Sequence, residues 1–136
     1  MMKRLIISLI ISAATFQAVS AQSITRAREP ERLESYQAWI GRDDLYNSSG
    51  ARLTKPWQII RQDRANFHAY GIRDDDDESD SFFADAANRQ ALEAMLARGS
   101  MGANAQRMLL RGNCWIKVDI FGRGDRGDFL EVEVWN

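Results

Sequence analysis

The sequence predicts a small α+β domain in which two or three helices pack on an antiparallel sheet of about three strands that ends in a C-terminal β-hairpin. Apolar residues recur at helical spacing through the middle of the chain, and they alternate with other residues near its end. The chain has 136 residues, 45% of them hydrophobic and 27% charged, which is the size and composition of one globular domain. These observations favour helices that cover the aliphatic face of a sheet.

Residues 1–21 have the layout of a secretory signal peptide. Lys3 and Arg4 form a positive n-region, and the apolar run of residues 5–16 follows it. This run is shorter than the ~20 apolar residues that a membrane-spanning helix needs, and it matches an h-region that precedes a small-residue cleavage site. We expect cleavage after Ala21 and export to the bacterial periplasm or the extracellular medium, with no membrane span left in the mature domain.

The mature chain begins with a polar segment. Residues 22–34 are charged and polar, which predicts a flexible leader before a single domain of residues 35–136. Residues 35–41 contain aromatic and β-branched residues and end at glycine, which favours a short strand. Residues 42–54 are rich in Asp, Asn, Ser and Gly, which indicates a loop.

The first helix is predicted to span residues 54–71. Thr54 can act as its N-cap, Pro56 suits its first turn, and Gly71 is placed to end it in a left-handed conformation. Arg64 is expected to face away from the apolar side of this helix. The residues of that apolar side are Trp57, Ile60, Phe67 and Tyr70.

Two more helices are predicted further along the chain. The acidic run of residues 74–80 is expected to stay extended and solvated, and it leads into a second helix over residues 81–98. A shorter third helix is predicted over residues 103–111, and Gly112 ends it.

The C-terminal part of the chain changes from a period of 3.6 to a period of 2. Residues 114–121 and 129–135 each alternate aliphatic with aromatic or charged side chains, which predicts two strands of a hairpin. The connecting residues 122–127 match the pattern G-x-G-x-x-G. A phosphate-binding loop of this type is followed by a helix, whereas a strand follows here, so the segment is predicted to be a hairpin turn.

The hairpin register can be predicted from its non-aliphatic face. Aromatic and opposite-charge pairs favour the register in which Trp115 faces Trp135. The other facing pairs are then Lys117 with Glu133, Phe121 with Phe129, and Asp119 with Glu131. The last pair brings two carboxylates together, which is unfavourable unless Arg123, Arg126 or an arginine of a helix neutralises them.

This face is the candidate binding surface. Aromatic side chains among polar ones are typical of recognition patches. The alternative is that the first strand or the leader closes the face as a second core. The predicted contact residues are Trp115, Lys117, Phe121, Phe129, Glu133 and Trp135.

The scarcity of certain residues excludes several kinds of site. Cys114 is the single cysteine, so the chain has neither an internal disulfide nor a Cys-rich zinc site, and we expect this thiol to be buried. The 18 basic and 19 acidic residues give a formal net charge of -1, which argues against a nucleic-acid partner. No cofactor is expected.

A calcium site in the acidic run is a weaker alternative. Its ligands would be Asp75, Asp77 and Asp80. Counted from Asp75, however, positions 6 and 12 are Asp80 and Ala86, where an EF-hand loop has glycine and glutamate. A solvated linker is the preferred interpretation.

A small hydrolase is the alternative in the enzyme class. His68 is the single histidine, and it would act with Asp63 or Asp44 as its orienting carboxylate. No G-x-S-x-G or other nucleophile motif accompanies it.

The sequence carries no diagnostic family signature, so the favoured function is that of an exported, non-enzymatic binding protein whose partner is a protein or a glycan of the cell envelope.

Overall fold

The computed structural model describes residues 26–136, and the predicted signal peptide lies outside this range. Three strands form one antiparallel sheet with the order β1-β2-β3. Their bounds are Glu31–Ile40 for β1, Cys114–Arg123 for β2 and Arg126–Trp135 for β3. Within the same range, no helix is both long and apolar enough to cross a membrane.

Four α-helices lie between β1 and β2 in the chain. They are α1 (Pro56–Ala65), α2 (Ala86–Gln90), α3 (Leu92–Arg98) and α4 (Ala103–Arg111). Short 3₁₀ turns at Arg42–Leu45 and Phe82–Ala84 complete the connections, and a π-turn at Asn66–Tyr70 extends α1. This architecture confirms the predicted α+β class and its C-terminal hairpin, and α4 has the predicted bounds.

Strand β1 is longer than the sequence predicts. It begins at Glu31, so residues 31–34, which the sequence assigns to the leader, belong to the sheet. A β-bulge lies between Arg32 and Glu34 and allows the intervening Leu33 to pack against the core. Pairing with β2 fixes this segment, and such pairing cannot be read from its polar composition.

The helical segment formed by α1 and the following π-turn ends at Gly71, as predicted, but its start and its faces differ from the prediction. Its N-cap is Lys55 rather than Thr54, and Gly71 closes the following π-turn with a φ of 66°. Arg64, which was expected to face away from the core, is fully buried, whereas Tyr70 is 59% exposed. The π-turn adds one residue per turn and thereby rotates Tyr70 off the apolar side.

The predicted second helix is divided into three pieces. A 3₁₀ turn precedes α2, and Ala91 separates α2 from α3. The carboxylate of Asp85 accepts a hydrogen bond from the Ala87 N–H at 2.8 Å, so a new helix begins there. The prediction of one continuous helix over residues 81–98 was therefore wrong.

The hairpin register is the predicted one. Trp115 faces Trp135, and the pairing continues in step as far as Phe121 and Phe129. An irregularity after Phe121 shifts the pairing at the tip of the hairpin. On its other side β2 pairs with β1, which makes β2 the central strand.

The core lies between the helices and the aliphatic face of the sheet. Cys114 lies in this core, as predicted, and burial raises the pKa of its thiol to about 11. The buried core residues are Tyr36, Ala38, Ile40, Leu45, Ile59, Ile60, Phe82, Phe83, Leu92, Met95, Leu109, Cys114, Ile116, Val118, Ile120, Leu130 and Val132.

The outer edge of β3 is covered by the segment after α3. The Ser100 N–H donates to Leu130 O at 2.9 Å, and Ser100 O accepts the Val132 N–H at 3.0 Å. A Cβ at Gly99 would lie 1.6 Å from Leu130 O, so only glycine permits this approach.

The acidic run covers the outer edge of β1. The carboxylates of Asp77 and Glu78 accept the N–H groups of Trp39 and Gln37, each at 2.8 Å. Asp80 is only 4% exposed. Most of the run is exposed, as predicted, but it is not a free linker, because Asp77 and Glu78 supply acceptors to edge N–H groups that would otherwise lack protein partners.

Candidate functional site

The face of the sheet opposite the helices carries a row of three tryptophans. Trp39 on β1 lies beside Trp115 on β2, which in turn lies beside Trp135 on β3. The rings of Trp39 and Trp115 are in edge-to-face contact, with centroids 5.4 Å apart. All three side chains are partly exposed, and none belongs to the core cluster. We call this the tryptophan row.

Two rows of polar residues follow along the same face. Lys117 lies between Gln37 and Glu133 in the first of them. Asp119 lies between Ser35 and Glu131 in the second. The four outer residues are exposed, and Lys117 is partly exposed.

Asp119 pairs with both basic groups of this face. Its carboxylate lies 3.4 Å from Lys117 Nζ and 3.8 Å from an Arg32 guanidinium nitrogen. These two cations, rather than Arg123, Arg126 or a helix arginine, lie beside the carboxylate and offset the repulsion that the sequence predicts between Asp119 and Glu131. In the part of the chain that the structure describes, Glu131 and Glu133 form no ion pair and remain exposed.

The far end of the face is aromatic again. Phe121 and Phe129 stack with centroids 4.8 Å apart and an interplanar angle of 6°. Neither phenylalanine belongs to the core cluster. All six predicted contact residues thus lie on one face, which we call the open face.

Sequence reasoning missed two residues of the open face. Trp39 and Arg32 both lie on β1, whose pairing with β2 is a long-range property. A signal for Trp39 was present, since it alternates with the buried residues Ala38 and Ile40 and must therefore point to the opposite face. No local signal reveals Arg32, because the bulge changes the alternation there.

A second concentration of polar side chains is buried between α1 and the acidic run. Arg64 is its centre: Nε donates to Asp63 at 2.7 Å and one Nη donates to Asp80 at 2.9 Å. The guanidinium also lies 4.1 Å from the ring centroid of Tyr36 and 4.7 Å from that of Phe67. Pairing makes this burial tolerable, because a buried charge is costly unless it is compensated.

His68 belongs to this cluster, but its partner differs from the predicted one. Its Nε2 lies 2.9 Å from Asp80 Oδ1, and neither Asp63 nor Asp44 is hydrogen-bonded to it. Asp80 also binds Arg64 and accepts the backbone N–H of Phe83. Asp80 therefore anchors the end of the acidic run to α1 and to the following turn.

The two carboxylates proposed as partners of His68 are buried and have raised pKa values. Burial raises the pKa of Asp63 to about 8, and the neighbouring Arg64 only partly opposes this effect. One guanidinium cannot fully neutralise both Asp63 and Asp80, to which Arg64 is bonded at the same time. Burial likewise raises the pKa of Asp44 to about 6, although hydrogen bonds from Asn66 and Gly41 favour its ionised form.

A cleft of about 590 Å³ lies beside this cluster. The exposed side chains of Tyr70 and Ile72 line it together with Asn66. Asn66 accepts a hydrogen bond from Gln62 at 2.8 Å and donates one to Asp44 at 3.0 Å. The Asn66 amide is thus already bonded to protein groups, whereas exposed polar side chains of Arg42, Asp43 and Ser48 also line the cleft.

The structure does not assemble the weak calcium alternative. Asp77 is bound to the β1 edge and Asp80 to Arg64, while Asp75 is exposed. Within residues 26–136, no group of three or more His, Cys, Asp or Glu side chains is placed to hold a metal ion.

Comparisons of this chain with known protein families, with curated proteins and with solved structures found no match.

Proposed function

We propose that this chain is an exported, non-enzymatic binding protein whose contact surface is the open face. The observation that carries the proposal is the tryptophan row, Trp39, Trp115 and Trp135, which lies outside the core on the sheet face away from the helices. Tryptophan is among the residues most enriched in binding hot spots, because its indole offers a large apolar area for contact with a partner. The proposed partner is a protein or a glycan of the cell envelope.

A comparison of two tryptophan substitutions tests the surface. Trp135→Ala removes an indole from the row at the edge strand, whereas Trp57→Ala removes one from α1, outside the open face. A hot-spot tryptophan contributes 2 kcal/mol or more to binding. We therefore expect Trp135→Ala to weaken binding to envelope extracts by at least about 30-fold, and Trp57→Ala to leave it nearly unchanged.

Immobilised wild-type protein and both variants would be titrated with fractionated envelope protein and with an array of envelope glycans. Circular dichroism must first show that each variant is folded. An equal loss of binding in the two variants would contradict the assignment of the open face. Retention of full binding by Trp135→Ala would contradict it as well.

Export is proposed from the sequence of residues 1–21. The test is expression of the full chain in a bacterium, followed by fractionation and mass measurement of the product. A periplasmic or secreted product that begins at Gln22 is the expected result. A cytoplasmic product that retains residues 1–21 would overturn this part of the proposal.

A small hydrolase remains the second candidate, and the contact between His68 and Asp80 favours it because a carboxylate can orient an imidazole for proton transfer. His68→Gln would then abolish an ester or peptide hydrolysis that the wild-type protein performs, with little change in melting temperature. Wild-type protein that is inactive across a broad panel of such substrates would reject this candidate.

A further inference from the structure

We infer that the open face binds a positively charged polypeptide segment, whose Arg or Lys side chains stack on the tryptophan row and pair with the carboxylates beside it. This inference rests on the proposed function and names the class of partner. The proposed partner is a basic peptide, and preferential binding of an acidic peptide or of a neutral glycan would contradict it.

The charges of the open face favour a cationic partner. The two cations of this face, Lys117 and Arg32, both lie against the carboxylate of Asp119. Glu131 and Glu133 are exposed on β3, and no cation of residues 26–136 lies within ion-pair distance of either. Arg32, Lys117, Asp119, Glu131 and Glu133 together carry two positive and three negative charges, so the net charge of the face is negative, which attracts a cationic partner and repels an anionic one.

Negative charge also lies near the β1 end of the tryptophan row, where the acidic run passes. A Cβ at Gly41 would lie 3.5 Å from Asp74 Oδ2 and 3.6 Å from Trp39 Cδ1, so this carboxylate oxygen lies within about 7 Å of the indole. Partial burial and then the neighbouring carboxylates of Asp77, Asp43 and Asp75 raise the pKa of Asp74. The row thus has carboxylates on both flanks, from the acidic run on the β1 side and from β3 on the other.

The indole rings of the tryptophan row are themselves suited to bind cations. Tryptophan is the aromatic side chain that attracts cations most strongly through its ring face, and guanidinium is the commonest partner. The same molecule already uses this interaction on α1, where the Arg61 guanidinium lies 4.8 Å from the Trp57 ring centroid. A basic segment would repeat this contact on the indoles of the tryptophan row, over which no cation of residues 26–136 lies.

The spacing of the row suits an extended peptide. Neighbouring strands lie about 4.8 Å apart, so the three indoles of the row extend over about 10 Å. Alternate side chains of an extended peptide point the same way and lie about 7 Å apart. Two basic residues separated by one residue can therefore reach the row together, while the intervening side chain points away.

The inference is tested with three probes on the full mature chain. They are a peptide with alternating Arg and Ser, a matched peptide with alternating Glu and Ser, and a neutral glucan oligosaccharide. Binding would be measured by calorimetry at about 20 mM and about 200 mM salt. We expect the Arg peptide alone to bind, and we expect its Kd to rise at least tenfold at the higher salt concentration, since screening weakens exposed charge pairs.

Charge-matched variants locate the site. Glu131→Gln with Glu133→Gln removes two carboxylates from the open face, and Glu93→Gln with Asp125→Asn removes two exposed carboxylates elsewhere. We expect the first pair to weaken binding of the Arg peptide at least tenfold and the second pair to change it less than twofold. Trp135→Ala should also weaken binding at least tenfold, whereas Trp57→Ala should not.

Each other outcome overturns the inference in a recognisable way. Equal losses in the two charge-matched variants would show attraction to overall charge rather than a site on the open face. Trp135-dependent binding of the Glu peptide or of the glucan would reject the basic partner and leave the proposed function standing. If the Arg peptide does not bind at millimolar concentration, the inference is wrong. The proposed function is then decided separately by the envelope titration.

Discussion

The two faces of the sheet are made by the same three strands and by alternating residues, but they differ in almost every physical property. The helical face is aliphatic and dry: on the central strand, Ile116, Val118 and Ile120 are fully buried. On the open face the intervening residues are aromatic or charged, as Trp115 and Lys117 show. The helical face contributes the buried core, whereas contact of the open face with another molecule is our proposal for its aromatic side chains.

The strongest test of this difference compares adjacent residues of β2. Ile116→Ala removes a fully buried side chain from the centre of the core, and substitutions of this type cost about 2–5 kcal/mol. Trp115→Ala removes a partly exposed indole, whose edge-to-face pair with Trp39 contributes about 0.5–1.5 kcal/mol in addition to the area that the indole buries, and we expect a smaller total loss than for Ile116→Ala. Urea unfolding monitored by circular dichroism measures both values.

If Trp115→Ala lowers the free energy of unfolding as much as Ile116→Ala does, the open face is a second core, which is the alternative that the sequence left open. Val118→Ala is a useful control, because it lies on the helical face of the same strand and should resemble Ile116→Ala.

The helical side of the molecule is also expected to respond to pH through Asp44. The raised pKa of this carboxyl, about 6 against an ordinary 3.8, means that the folded state holds the proton more tightly than the unfolded state. The contribution of the protonated Asp44 to the free energy of unfolding is fully present below about pH 4 and is lost as the pH rises through 6. One pKa unit corresponds to about 1.4 kcal/mol, so the loss amounts to at most about 3 kcal/mol.

Unfolding free energies of the wild type and of Asp44→Asn between pH 4 and 8 provide the measurement. The wild type should lose stability relative to the variant as the pH rises, because the asparagine cannot ionise. Asp43→Asn, at the exposed neighbouring residue, serves as the control and should follow the wild type. Parallel curves for the wild type and Asp44→Asn would show that burial does not perturb this carboxyl.

The sequence predicts well what depends on neighbouring residues. The hairpin, its register and the bounds of α4 follow from alternation, facing pairs and glycine stops, and the structure confirms all three. The division of the second helix was missed because a cap at Asp85 competes with a favourable helical pattern.

The parts that were missed depend on contacts between distant segments. Arg64 is buried because Tyr36 and Asp80, which are far from it in the chain, surround it. The carboxylate that His68 contacts, and the place of Trp39 in the tryptophan row, are set by tertiary packing in the same way. Periodicity reports which residues share a face of one element, but it does not report what lies against that face.

The smallest predicted effect concerns the boundary between the two faces, at the outer edge of β1. Asp77→Ala with Glu78→Ala removes the carboxylates that accept the Trp39 and Gln37 N–H groups. Two partly exposed hydrogen bonds of this kind contribute about 1–2 kcal/mol in total. We expect this loss in urea unfolding, together with self-association in sedimentation velocity, because an unpaired strand edge is a template for another chain.

Asp75→Ala with Asp76→Ala removes the same charge from the same run, at exposed residues. This control separates loss of negative charge from loss of edge acceptors. If it also causes self-association, charge repulsion rather than edge protection keeps the chains apart. If only the Asp77 and Glu78 variant associates, the acidic run protects the sheet edge beside Trp39, and one segment then both protects that edge and contributes negative charge beside the tryptophan row.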